Sequence, residues 1–282
     1  MVRLISNTVT IRDVAEAAGV SISLVSFVLN AKKGPNGEYL CSASKETAER
    51  IVDTAKRLGY KKNMAASSLR SGFSNTLGIV VADISNSFFG EVCRHIENIS
   101  AQAGYLSIFG SSDDNPEKMC QLLNRFIATG VDGLIVAPCA HTEKLLSDIV
   151  RNSVPVVIFD RDLENLAGVG KVMMDNEYAG RQATRHLIEN GHKKIEMVRY
   201  QSDIPTILQR FTGYRKEMEE NGLACYVKDN IISKPTIGID MVDVIKNSYD
   251  RGVDALIFPS NVLTVKGLTA INSLGYKIPD DF

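Results

Sequence analysis

The chain has 282 residues, 44% of them hydrophobic and 23% charged, a globular composition long enough for more than one core. Its net charge of −1 conceals an asymmetry: residues 1–75 hold eleven Lys or Arg against six Asp or Glu, and the remainder holds 21 against 27. No run approaches eighteen apolar residues, the N-terminus lacks the apolar core of a signal peptide, and the five scattered cysteines contain no C-x-x-C. A membrane span, export, a disulfide frame and a zinc site are therefore not expected; reduced thiols of a cytoplasmic protein are. A small basic head on a larger acidic body points to a polyanionic partner for the head alone.

The head reads as three short helices. Thr10, with Asp13 three residues on, is a capping-box-like start, and Ile11, Val14, Ala15 and Ala18 fall on one helical face. Gly19 suits the left-handed position that ends a helix. Ser21 can cap the next one, in which Val25, Val28 and Leu29 form the buried stripe. Two short helices joined by such a turn make a helix-turn-helix. The third runs from Ser44 as cap through Ile51, Val52, Ala55 and Leu58 to Gly59.

The wording of this segment is specific. TIRDVAEAAGVSISLVSFVLN (10–30), SKETAERIVDTAKRLGY (44–60) and the spacing Asn63, Ala66, Leu69 resemble the DNA-binding opening of the lac repressor and galactose repressor (LacI/GalR) family. The resemblance implies that the second helix lies in the major groove of double-stranded operator DNA with Ile22, Ser23 and Phe27 outward. It further implies DNA contacts from Thr10, Ser21, Ser26, Asn30, Asn63, Ala66 and Leu69. Family members commonly carry Arg at the Phe27 position and Thr at the Leu24 position. With no Arg, Gln or Asn among Ile22, Ser23 and Phe27, the helix lacks the usual bidentate base contacts, so its base choice is expected to be apolar and shape-dependent. Affinity is then expected from flanking Lys and Arg, from Ser21, Ser23 and Ser26, and from helix N-termini at phosphates. The stretch AKKGPNGEYLCSA (31–43) is longer than the family's turn. It reads equally as a basic loop reaching a phosphate and as a tolerated insertion. Residues 61–75 form the linker; in the family this hinge helix folds on DNA and wedges a leucine into the minor groove, the place of Leu69 here. Packing between head and body is the other reading of Leu69. Lys62 stands where many members have proline.

From Thr76 onward short β-branched runs alternate with amphipathic stretches. TLGIVVAD, YLSIFG, DGLIVAP and PVVIFD read as buried parallel strands, separated by helices over 88–104, 115–130 and 141–153. KKIEMVRY, an apolar run near 226–232 and DALIFPS repeat the unit, with helices near 207–221, 240–251 and 263–274. GVDGLIVAP (130–138) and GVDALIFPS (252–260) are near copies at matching places. The expected architecture is an all-α helix-turn-helix head plus α/β: two doubly wound, Rossmann-like lobes of periplasmic-binding-protein type. Its parts are a DNA-binding domain over 1–60, a hinge over 61–75, and an effector-binding and dimerisation domain over 76–282 with lobes near 76–175 and 176–282.

Ligands of open α/β sheets bind outside the carboxyl ends of the strands. That rule selects Asp83, Asn86, Phe88 and Phe89 after the first strand, Asp160 and Arg161 after VVIF, Arg210 ahead of FTGY, and Asn261 after DALIFPS. Carboxylate, amide and guanidinium suit ligand hydroxyls, and an aromatic ring suits an apolar sugar face. The blander reading of each is a structural cap or a surface charge. The resemblance implies effector contacts at Asp160, Arg210 and Asn261. Val262 stands where members often carry Asp.

Two rivals belong to other classes. An enzyme is disfavoured because LAGVGK (166–171) completes no nucleotide-binding motif, no G-x-S-x-G occurs, and His95, His141, His186 and His192 form no metal set. No catalytic residue, metal or cofactor is expected. A solute-binding protein is disfavoured by the basic head and the missing export signal. The family sequence continues beyond IPDDF (278–282), so the body is expected to be C-terminally incomplete, as a fragment or a truncated gene product. The resemblance implies a homodimeric repressor on a pseudo-palindromic operator, controlled by a small effector, a sugar or related metabolite.

Overall fold

The computed structural model describes residues 9–31, 43–61, 72–163, 165–201, 205–233 and 237–282. The chain divides into two compact units, Met1–Ser74 and Asn75–Phe282.

The first unit is built from α1 (Ile11–Ala18), α2 (Ile22–Asn30) and α3 (Lys45–Leu58). Their ends are written in the sequence. Thr10 Oγ1 accepts from Asp13 N while the Asp13 carboxylate accepts from Thr10 N, a complete capping box. Ser21 and Ser44 cap α2 and α3 by accepting from Leu24 N and Thr47 N, and Gly19 and Gly59 close α1 and α3 at φ of 65° and 70°. α1 and α2 meet at 106°, the angle of a helix-turn-helix. Val14, Ala15, Ala18, Val25, Val28, Ala48, Ile51 and Ala55 form the core, with Ile11, Leu29, Val52 and Leu58 half-buried around it.

In the second unit, β1 (Thr76–Val81), β2 (Leu106–Ser111), β3 (Gly133–Val136), β4 (Val156–Phe159) and β5 (Gly170–Val172) form one parallel sheet in the order β2-β1-β3-β4-β5. β6 (Ile195–Tyr200), β7 (Asp229–Ile232) and β8 (Ala255–Ile257) form a second parallel sheet in the order β7-β6-β8. Alternate residues of each sheet face opposite layers. Val80, Leu134, Val136, Val156 and Ile158 pack with α5 (Pro116–Ala128) and α6 (Glu143–Arg151), while Ile79, Val81 and Phe159 pack with α4 (Ser87–Gln102). In the second lobe Ile195 and Met197 face α7 (Asn176–Glu189) and α8 (Pro205–Glu220). Val198 and Ile232 face α9 (Ile237–Asp250) and α10 (Asn261–Ser273). Each lobe is doubly wound, as expected.

The two near-copied segments do the same job. Gly130 and Gly252 turn the chain out of a helix at φ of 78° and 69°. Asp132 Oδ2 then accepts from Asn75 N at 2.8 Å beside β1, and Asp254 Oδ2 accepts from Lys193 N at 3.1 Å beside β6. Each aspartate pins the start of its lobe's first strand to the neighbouring one.

The structure departs from the sequence pattern in three places. YLSIFG is not a buried strand: β2 is an edge, and Leu106 is 65% exposed. The run near 226–232 is strand only from Asp229, after a 3-10 turn over Ala224–Tyr226. β5 and α7 carried no recognised signal. β5 is three exposed residues, and the buried face of α7 is Asn176, Gly180 and Thr184 rather than an apolar stripe. α7 packs on α8 backbone to backbone: a Cβ on Gly180 would stand 2.0 Å from the Arg210 carbonyl oxygen, and one on Gly213 2.0 Å from that of Glu177. Glycine is required at both. Among the described residues no single helix is long and apolar enough to cross a membrane.

Candidate functional site

The strand ends of both lobes converge on a cleft of about 690 Å³, counting its open mouth. β4 delivers Asp160 and Arg161, the start of α4 delivers Asn86, Phe88 and Phe89, and β6 ends in Tyr200. The first turns of α8 supply Thr206, Ile207 and Arg210, and the start of α10 supplies Ser260 and Asn261.

Asp160 sits at φ 64°, a conformation that costs a non-glycine residue about 1 kcal/mol and is often held at functional positions. Its N–H is fixed on the Val172 carbonyl at 3.1 Å, which turns the side chain off the strand end. The carboxylate is 16% exposed, and Arg161 Nε stands 3.6 Å away, too long for a good hydrogen bond. Burial pushes the Asp160 carboxyl above the usual carboxylate range, and the charges of Arg161 and Arg210 pull it back only in part. Arg161 is itself engaged, with Nη1 on Asp114 and on the Pro138 carbonyl and its guanidinium 5.7 Å from the Phe89 ring centroid.

Across the cleft, Arg210 Nε donates to Asn176 Oδ1 at 2.9 Å and Nη1 donates to the Pro259 carbonyl. Burial lowers the Arg210 guanidinium from its ordinary value, opposed by the charge of Asp160. Phe88 and Phe89 meet edge to face at 5.0 Å; Phe89 is buried against Phe159, while Phe88 is open to the cleft. Asn261 Nδ2 donates to Asn86 Oδ1 at 2.6 Å and to Ser87 Oγ at 3.1 Å, a direct tie between the lobes. The site thus offers an acceptor-only carboxylate, unspent guanidinium donors, amides and hydroxyls beside an aromatic wall. Such a set grips a small molecule rich in hydroxyls.

Of the six expected effector contacts, Phe88, Phe89, Asp160, Arg210 and Asn261 line this cleft. Asp83 does not: its carboxylate turns into its own loop and accepts from Ser85 N at 2.8 Å and Ser85 Oγ at 2.7 Å. Tyr200, Thr206, Ile207 and Ser260 were missed. Tyr200 and Ser260 follow from the same strand-end rule applied to β6 and β8, whereas Thr206 and Ile207 depend on where α8 begins.

In the head, Ile22, Ser23 and Phe27 stand outward on α2. Thr10 is occupied by its capping box, Ser21 accepts from Leu24 N at 3.2 Å, and Asn30 Nδ2 folds back to the Ser26 carbonyl at 2.6 Å. Asn63, Ala66 and Leu69, and nearly all of the stretch over 31–43, lie outside the described residues.

Residues 10–63 match the family Bacterial regulatory proteins, lacI family, and residues 77–280 match the Periplasmic binding protein domain. Catabolite control protein A of Priestia megaterium is 33% identical over 249 residues, 88% of this chain and 69% of that protein. The chain belongs to the lacI family of bacterial regulatory proteins. A LacI-family transcriptional regulator from Silicibacter pomeroyi has a crystal structure that covers 97% of this chain and 80% of its own, at a TM-score of 0.74 and 25% identity. The lac repressor dimer bound to operator shares the fold, at a TM-score of 0.77 and 19% identity over 98% of this chain and 81% of its own. Membership makes the chain a transcriptional regulator with a helix-turn-helix head and a periplasmic-binding-protein-like body, and sets aside the free-standing solute-binding protein.

Proposed function

We propose that this family member is a repressor that works in the cytoplasm as a homodimer on a pseudo-palindromic operator, and that it performs no catalytic step. One helix-turn-helix, residues 1–60, serves each half-site; residues 61–75 are the hinge; the body over 76–282 holds the effector and the dimer contacts. The effector is a sugar or related polyhydroxy metabolite, held by Asp160, Arg210 and Asn261 against Phe88 and Phe89. Asp83 has no part in it. The observation that carries this reading is that Asp160 and Arg210 face each other from different lobes at the strand ends, each with hydrogen-bonding capacity the protein leaves unused. An effector bridging them favours one lobe arrangement, and it shifts operator affinity only by its differential affinity for the two arrangements.

The test uses the full chain. Chromosomal fragments it retains at modest salt are sequenced, and a panel of monosaccharides is then screened for a change in that retention. Enrichment of discrete fragments, modulated by a sugar in the wild type and not in Asp160→Asn, is the expected result. Retention no better than random competitor under every sugar tried rejects the reading.

A further inference from the structure

The outward face of α2 has an uncommon chemistry for a helix of this kind. By helical spacing Ile22, Ser23, Ser26, Phe27 and Asn30 share that face. Its polar members make hydrogen bonds within the helix and to its cap. Asn30 Nδ2 lies on the Ser26 carbonyl and 3.3 Å from Ser26 Oγ, and Ser23 Oγ donates to Ser21 Oγ at 3.4 Å. Ser23 and Asn30 remain exposed, and the apolar side chains standing out beside them are Ile22 and Phe27, 43% and 54% exposed. α2 contains no Arg, Lys or Gln, so the donor forks that read guanine, and the glutamine that reads adenine, are absent from it. Among the described residues, exposed cations sit on its neighbours instead, with Arg12 on α1 and Lys45 and Arg50 on α3.

We infer that Ile22 and Phe27 read the operator through thymine, packing on the C5-methyl groups that thymine alone carries in the major groove of unmodified DNA. The inference rests on the operator-binding reading of the head. A recognition helix enters the major groove with its N-terminal residues on the base edges. Ile22 is the first residue of α2, and Phe27 lies five residues on, about 140° further round the helix, so the pair brackets its outward arc. Labour is divided: Arg12, Lys45 and Arg50 meet phosphate and supply affinity without sequence information, while the apolar pair supplies the discrimination.

The test selects an operator for the full chain from a random duplex library. It then compares that operator with one in which deoxyuridine replaces every thymine of a half-site, which removes the methyl groups alone. Each methyl that was buried should weaken wild-type binding about fourfold. Phe27→Ala should keep only the part of that discrimination that Ile22 supplies, and the double variant Ile22→Ala/Phe27→Ala should bind the two duplexes within about twofold of each other; the salt dependence of both should match the wild type, because no phosphate contact is lost. Equal wild-type affinity for both duplexes overturns the inference and leaves operator binding standing. Full discrimination retained by both Ile22→Ala and Phe27→Ala overturns the assignment to this face. Enrichment of no sequence at all removes the operator reading, and the inference with it.

Discussion

Two buried carboxylates in the body have opposite fates. Glu196, near the start of β6, is 5% exposed and surrounded by donors: Arg251 at 2.7 and 2.9 Å, Ser248 Oγ at 2.7 Å and Asn230 Nδ2 at 2.8 Å. Burial pushes its carboxyl up, but the hydrogen bonds from Arg251, Ser248 and Asn230 outweigh that and hold it below the usual carboxylate range. Asp160, at the end of β4, has one cation at 3.6 Å, and burial leaves its carboxyl raised. The difference separates architecture from function. A carboxylate whose lone pairs are all filled joins β6, β7 and α9 into one lobe. A carboxylate left short of donors at a cleft is held ready for a partner that brings its own.

The largest effect expected from this contrast comes from stripping the satisfied group. Arg251→Met leaves Glu196 buried without its cation. It should lower stability by about 3 kcal/mol, the lower end of the range because Arg251 is 35% exposed, as read by urea denaturation. A loss below about 1 kcal/mol would show that Ser248 and Asn230 suffice, and the contrast with Asp160 would shrink accordingly.

A smaller effect tests whether the cleft is tied shut by the protein itself. Asn261→Ala removes the donor to Asn86 and Ser87 and should cost about 1 kcal/mol, with a larger radius of gyration in solution scattering as the lobes part. An unchanged radius would mean that other contacts between the lobes fix the closure.

The smallest change in stability belongs to the unsatisfied group. Asp160→Asn removes a buried charge that nothing pairs well, and should stabilise the protein at pH 7 by under about 1 kcal/mol. The pH dependence sharpens the comparison. Because the folded carboxyl of Asp160 is raised, its charge opposes folding at neutral pH, and that opposition fades as pH falls through the raised value toward the unfolded one. Because that of Glu196 is depressed, its contribution persists until pH falls through a value below the ordinary one. On acidification the stability gap between Asp160→Asn and wild type should therefore close first, and the gap between Glu196→Gln and wild type last. Denaturation series at several pH values give the order, and a reversed order would refute the assignment.

What the sequence alone made legible was local or periodic. Thr10, Ser21 and Ser44 cap their helices, and Gly19 and Gly59 end theirs, because these residues satisfy backbone groups within a few positions of themselves. The alternation of β-branched runs with amphipathic stretches fixed the doubly wound lobes, and the strand-end rule reached Asp160 and Asn261 because topology puts such ends at a cleft, while Arg210, inside α8, was implied by the family resemblance. Only the tertiary structure decided the rest. Helix α7 is invisible to a hydrophobic period because it meets α8 through Gly180 and Gly213, where backbone touches backbone. Asp83 and Asp160 both follow strands, yet one bonds Ser85 in its own loop and the other faces Arg210 from the opposite lobe. Which of two like carboxylates is left unfilled is set by donors far away in the chain, and no local pattern records that distance.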